Sequence, residues 1–141
     1  MIKLLISYAM SFLGAFYSWG GNGPSYDCSG LISEILRAAG LVKEGYRNSA
    51  MGMYLDFKDR WQELDTPLPG AIIFYADSKG LINHVAYAVD ERMIVEAAGG
   101  GSKTKTEEDA IRDRAFVRLR NYDYRLPYKV FLPNYKLYKE S

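Results

Sequence analysis

The sequence predicts an α+β fold in which helices come first and an antiparallel sheet follows. Two observations predict it. Apolar residues recur at three- and four-residue steps as far as Trp61, and beyond "TPLPG" (66–70) they fall into short alternating runs between turn-forming residues. A third observation points to the site: the single cysteine, Cys28, stands where a glycine-rich loop gives way to a helical stripe.

In order along the chain, Leu4, Leu5, Tyr8, Phe12 and Ala15 mark a first helix over 2–13, stopped at Gly14. This opening run superficially resembles a signal peptide, but Ser7 and Ser11 interrupt it, so an amphipathic structural helix is expected and no export signal. Residues 17–27, with Gly20, Gly21, Gly23 and Pro24, read as a loop. Leu31, Ile32, Ile35, Leu36 and Ala39 make a helix from Cys28, ended by Gly40. Asn48 is placed to cap a third helix carrying Ala50, Met53, Tyr54, Phe57 and Trp61. Three helices are thus expected before any strand.

The sheet is expected from "AIIFYA" (71–76), "HVAYAV" (84–89), "MIVEAA" (93–98) and "FVRLRN" (116–121). Between the last two, 106–114 reads as a short helix with acidic residues in its first turn. The segment 122–138 carries five tyrosines and is too apolar for a linker, so a Tyr-rich extension over about 122–141 is expected to fold back on the domain. "AAGGGSKT" (97–104) has the look of a phosphate-binding loop, but Ser102 stands where that loop needs Gly before the Lys, so a flexible loop beside a site is favoured.

With 141 residues, 48% of them hydrophobic and 25% charged, the chain is expected to form one domain, 1–141, with no membrane span. Its net charge of +1, with both signs interspersed, gives no footprint for nucleic acid or anionic lipid. One cysteine excludes an internal disulfide and a thiolate-rich zinc site, and no metal or cofactor is called for.

A lone thiol is commonly a small buried hydrophobe. At the first turn of a helix, however, unpaired N–H groups and the dipole favour the attacking thiolate, and the same N–H groups can receive an oxyanion. A nucleophile needs a base, and His84 is the only histidine. An imidazole in turn needs an orienting group, for which Glu96 is the candidate. Strand alternation makes this conditional. A two-residue turn after 84–89 would pair Tyr87 with Glu96 and leave His84 on the other face. A three-residue loop, 90–92, pairs Ala86 with Glu96 and puts His84 and Glu96 on one face as diagonal neighbours. The alternative for Glu96 is a polar residue on the solvent face of an edge strand.

Together these residues resemble the NlpC/P60 family of papain-like cysteine peptidases. "LGAFYSWGGN" and "DCSGLIS" are similar to its cysteine signature, "LPGAIIFY" to a strand entry, "HVAYAV" to its histidine strand and "MIVEAAG" to the strand bearing the third group. The likeness covers about residues 4–100. It implies a papain-like NlpC/P60 fold with Cys28 as nucleophile, His84 as general base and acid, and Glu96 in the orienting position. Tyr17 matches a tyrosine near the nucleophile. Asp27 and Ser29 match substrate-contacting neighbours, with Asp27 suited to a free amine, and Asn83 borders the cleft where Ser is frequent. Trp19 is expected to pack the loop. Ala71 and Ala86 depart from a usual Asp and Gly, and none of these departures removes a catalytic group.

The reaction implied is hydrolysis of an amide in bacterial cell-wall peptidoglycan, between D-glutamate and the diamino acid of a stem peptide. With no export signal expected, delivery by a phage or another system is expected, and a phage-associated member is the favoured setting. Two other readings keep the fold: a tail or assembly component with little turnover, and a thiol acyltransferase. An open groove would favour the peptidase and a dry apolar tunnel the transferase.

Overall fold

The computed structural model describes residues 2–21, 23 and 26–135; Pro24 and the tail beyond Tyr135, including Tyr138, lie outside it. Three helices come first: α1 (Ile2–Met10), α2 (Cys28–Ala38) and α3 (Ala50–Phe57). Strands β1 (Gln62–Leu64), β2 (Ile72–Ala76), β3 (Ile82–Ala88) and β4 (Met93–Ala98) follow, then α4 (Glu107–Asp113), β5 (Phe116–Asn121), a 3-10 turn at Tyr122–Tyr124 and β6 (Lys129–Leu132). The architecture is α+β, with an antiparallel sheet in the order β1-β6-β2-β3-β4-β5.

Local chemistry sets the helix ends. Asp27 caps α2 by accepting from the Gly30 N–H, and Gly40 follows the helix in the left-handed region at φ 71°. The cap of α3 is Ser49, which accepts from the Gly52 N–H, and not Asn48, whose side-chain Oδ1 accepts from the Ser49 N–H. Both types cap well, and spacing cannot choose between adjacent candidates. Thr106 and Asp109 close a capping box on α4.

The sheet has two different faces. Ile72, Phe74, Val85, Tyr87, Val95, Ala97, Val117 and Phe131 join Leu31, Ile32, Ile35, Met53 and Phe57 in the main core beneath the helices. Ala71, Ile73, Tyr75, Ala86, Ala88, Ile94 and Val130 form a second, smaller cluster on the opposite face. Burying both faces explains why the middle strands read as continuous apolar runs. Two strands were not expected: β1, whose three residues are too short and polar to show a period, and its partner β6, within the segment expected only to fold back. The segment after β5 returns across the sheet, and β6 lies between β1 and β2. The Tyr135 hydroxyl, buried, donates to the Gly70 carbonyl at 2.7 Å.

Candidate active site

The register between β3 and β4 decides which face each polar residue occupies. Tyr87 pairs with Val95, Ala88 with Ile94, and the Val89 N–H bonds to the Met93 carbonyl, leaving a three-residue loop at 90–92. Continuing that register sets Ala86 opposite Glu96, so His84 and Glu96 project from the same face. His84 Nε2 meets Glu96 Oε1 at 2.6 Å. Glu96 is fully buried and lies between β3 and β5, not on a solvent-facing edge.

Three groups hold the Glu96 carboxylate. Besides the imidazole, the Tyr124 hydroxyl donates to Oε1 at 3.1 Å and an Arg120 guanidinium N–H to Oε2 at 3.3 Å. The Arg120 guanidinium also stacks on the Tyr124 ring, 3.7 Å from its centroid. Burial alone would raise the Glu96 pKa, but His84, Tyr124 and Arg120 together hold it below the ordinary carboxylate value. Burial likewise opposes a charged His84. The neighbouring Cys28 and Glu96 outweigh it and lift the imidazole from 6.5 to about 9. The site thus favours the charged form of His84 beside the carboxylate. With Nε2 turned to Glu96, Nδ1 is the nitrogen left for the sulfur side.

The thiol comes from the opposite wall. Cys28 is the first residue of α2 and is partly exposed to the cleft. The loop before it folds tightly onto the helix start: a Cβ at Gly30 would strike the Gly21 carbonyl, so only glycine permits this approach. Asp27 organises the same turn. Its Oδ1 accepts from the Gly30 N–H at 2.7 Å and from Arg47 at 2.7 Å, and its Oδ2 accepts from the Gly20 N–H at 2.9 Å. Arg47 also donates to Ser29 Oγ at 2.9 Å. Both Asp27 oxygens are thus engaged within the protein.

Tyr17 is buried in this wall, its ring against the backbone of Gly100, where a Cβ would collide with it. Burial, then the nearby Cys28 and Asp27, push its hydroxyl well above the usual tyrosine range, so it stays a proton donor. Asn83 is exposed at the cleft mouth and its Oδ1 accepts from Arg125 at 2.7 Å. Trp19, expected to pack the loop, is 55% exposed and lines the cleft.

The cleft between the walls has a volume of about 820 Å³ and is lined by all seven residues singled out from the sequence except Glu96, which sits behind His84. Arg47, Arg118, Arg120, Tyr124 and Arg125 also line it and had not been found from the sequence. Arg118 and Arg120 alone had an available signal, because residues one strand beyond Glu96 can share its face. Among the described residues no group of three or more His, Cys, Asp or Glu side chains is placed to hold a metal ion. No helix there is long and apolar enough to cross a membrane.

Comparison with known proteins agrees with this geometry. A family model described as the NlpC/P60 family matches residues 14–120. The chain is 35% identical over 100 residues to a probable endopeptidase p60 of Listeria welshimeri and 33% identical to that of Listeria seeligeri. Each match covers 70% of this chain and 18% of the relative, so the likeness spans under a fifth of the length of those proteins. The fold is similar to an NlpC/P60 family protein from Bacillus cereus, with TM-score 0.70 and 19% identity over 92% of this chain and 39% of that one. It is also similar to the NlpC/p60 domain of the peptidoglycan hydrolase SagA, with TM-score 0.62 and 18% identity over 90% of this chain and 94% of that one.

Proposed function

Because the chain belongs to the NlpC/P60 family, we propose that it is a cysteine endopeptidase that cleaves the amide between D-glutamate and the diamino acid of a peptidoglycan stem peptide. The observation that carries this reading is His84, bonded to Glu96 and lining the same accessible cleft as the Cys28 thiol.

The Cys28 sulfur, its proton held by His84, attacks the scissile carbonyl carbon. The developing oxyanion meets the Cys28 backbone N–H at the helix start and the Tyr17 hydroxyl. As the C–N bond breaks, the imidazolium gives its proton to the departing amine, leaving a thioester and a neutral imidazole. That imidazole then takes a proton from water, whose oxygen attacks the thioester and restores the sulfur with its proton on His84. Glu96 keeps the ring oriented and favours its charged form. Asp27 acts through the helix cap and Arg47, since its oxygens are already occupied.

An open cleft carrying Asp27, Ser29, Asn83 and four arginines favours a peptide over an acyl chain, which would call for a closed apolar tunnel. The test is mass spectrometry of soluble stem-peptide fragments incubated with the wild type and with Cys28→Ser. Release of L-Ala–D-Glu by the wild type alone is expected. Equal cleavage by the variant, or cleavage of no fragment, would overturn the reading.

A further inference from the structure

The cleft holds more positive charge than its own carboxylates balance. Of the four arginines lining it, Arg47 is paired with Asp27 and Arg120 with Glu96. The other two have no carboxylate partner among the described residues. Arg125 donates to the Ala76 carbonyl and the Asn83 amide oxygen, both neutral. Among the described residues the Arg118 side chain makes no hydrogen bond or ion pair, and its Nε is buried without an acceptor. A buried, unsatisfied guanidinium N–H is costly in a finished fold and marks a place where an acceptor belongs.

Its position says where that acceptor comes from. Arg118 stands directly opposite Glu96 in the β4–β5 ladder, Glu96 is bonded to His84, and Arg118, His84 and Cys28 line the same cleft. Paired strand residues lie about 5 Å apart. An anion on Arg118 therefore sits in the cleft that holds the sulfur. A carboxylate meets the planar fork of a guanidinium with two acceptor oxygens, which a carboxamide cannot do.

We propose that Arg118, with Arg125 as a second cation, forms a carboxylate subsite selecting peptides with a free α-carboxylate on the residue that supplies the scissile carbonyl. The inference rests on the peptidase reading for its substrate but not for its charge. In a γ-linked glutamate that carboxylate lies three carbons from the reacting carbonyl, on a side arm of the right length. A substrate carrying the corresponding carboxamide leaves both guanidinium groups without a counter-charge.

Two measurements on the whole chain test this. The first compares stem peptides that differ only in α-carboxylate or α-carboxamide at the glutamate. The wild type is expected to prefer the acid by about tenfold in kcat/KM, Arg118→Gln to lose that preference, and Arg118→Lys to recover part of it. The second needs no hydrolysis. Cys28 is the only cysteine, so its alkylation can be followed cleanly by mass. Arg118→Gln should slow reaction with iodoacetate, an anion, several-fold more than reaction with neutral iodoacetamide, and salt should erode the difference.

Cleavage of acid and amide peptides at equal rates would overturn the subsite while leaving the peptidase reading intact. Cleavage of neither would overturn the peptidase reading, and the alkylation ratio would then decide the subsite alone. An unchanged ratio in Arg118→Gln, with iodoacetamide reacting at the wild-type rate as a control for folding, would remove it.

Discussion

The two walls of the cleft each bury an acid beside an arginine and put it to different use. On the helix wall, Asp27 spends its oxygens on the Gly30 and Gly20 N–H groups and on Arg47, so it shapes the turn that presents the thiol. On the sheet wall, Glu96 is steadied by Arg120 and Tyr124 but keeps its shortest bond, 2.6 Å, for His84. An ion pair is therefore not a role in itself. What separates a structural carboxylate from one that tunes chemistry is whether a titrating group is among its partners.

The comparison can be broken or sharpened by substitution. The largest effect tests the premise shared by both walls: Cys28→Ser should lose at least roughly a thousandfold in turnover of a stem-peptide fragment, because the hydroxyl is a far poorer nucleophile. A small loss would place the chemistry elsewhere.

Converting each acid to its amide separates the walls. Glu96→Gln retains an acceptor for the imidazole but removes the negative charge, so the His84 pKa should fall from its present value of about 9. Activity should drop roughly ten- to a hundredfold and its alkaline limb move toward neutral pH. Asp27→Asn should leave that limb in place. Shifts of the limb in both variants would erase the distinction between the two carboxylates.

The same pair should appear in stability. His84 is raised above its ordinary 6.5, so its contribution is fully present below pH 6.5 and is lost as pH rises through about 9. Glu96 is lowered from its ordinary 4.5, so its contribution is present above that pH and lost as the carboxylate protonates at lower pH. In urea titrations the wild type should therefore exceed His84→Gln by most between pH 4.5 and 6.5, with the gap closing on either side. A gap independent of pH would mean that packing alone is lost.

Smaller effects probe the supports. Asp27→Ala should cost roughly 2 kcal/mol by urea unfolding, through the lost helix cap and the unpaired Arg47. Tyr124→Phe removes one hydroxyl from a carboxylate with two other partners, and a loss of about threefold in kcat with little change in KM is expected. A change confined to KM would put Tyr124 in contact with substrate instead.

The walls also differ in how far they were legible beforehand. Tyr17, Asp27, Cys28 and Ser29 lie within one loop and helix start, where cap chemistry and glycine spacing act locally. The sheet wall is assembled from four separated segments. His84 and Glu96 became a pair only if the loop between their strands had an odd length, a condition the sequence could state but not decide. The helices and the four longer strands followed from apolar period. Short, polar β1 had no period to detect. Arg47 and Arg125 lie where neither periodicity nor turn chemistry marks a cleft, and Tyr124 was one tyrosine in a segment read as packing. Asp27 was matched to a substrate amine by resemblance, and its bond to Arg47, which lies far away in the chain, could not be read from spacing.

The interleaving of the sheet also imposes an order on events at the ribosome. Strands β2 to β5 can pair with chain neighbours as they emerge, but β1 finds its strand partner, β6, only after residues 129–132 have been made. Tyr124 belongs to the same late segment. A nascent chain can thus complete its thiol-bearing helix and glycine loop long before the carboxylate behind the imidazole is braced. On the proposed mechanism the triad is fully braced only when this late segment has docked.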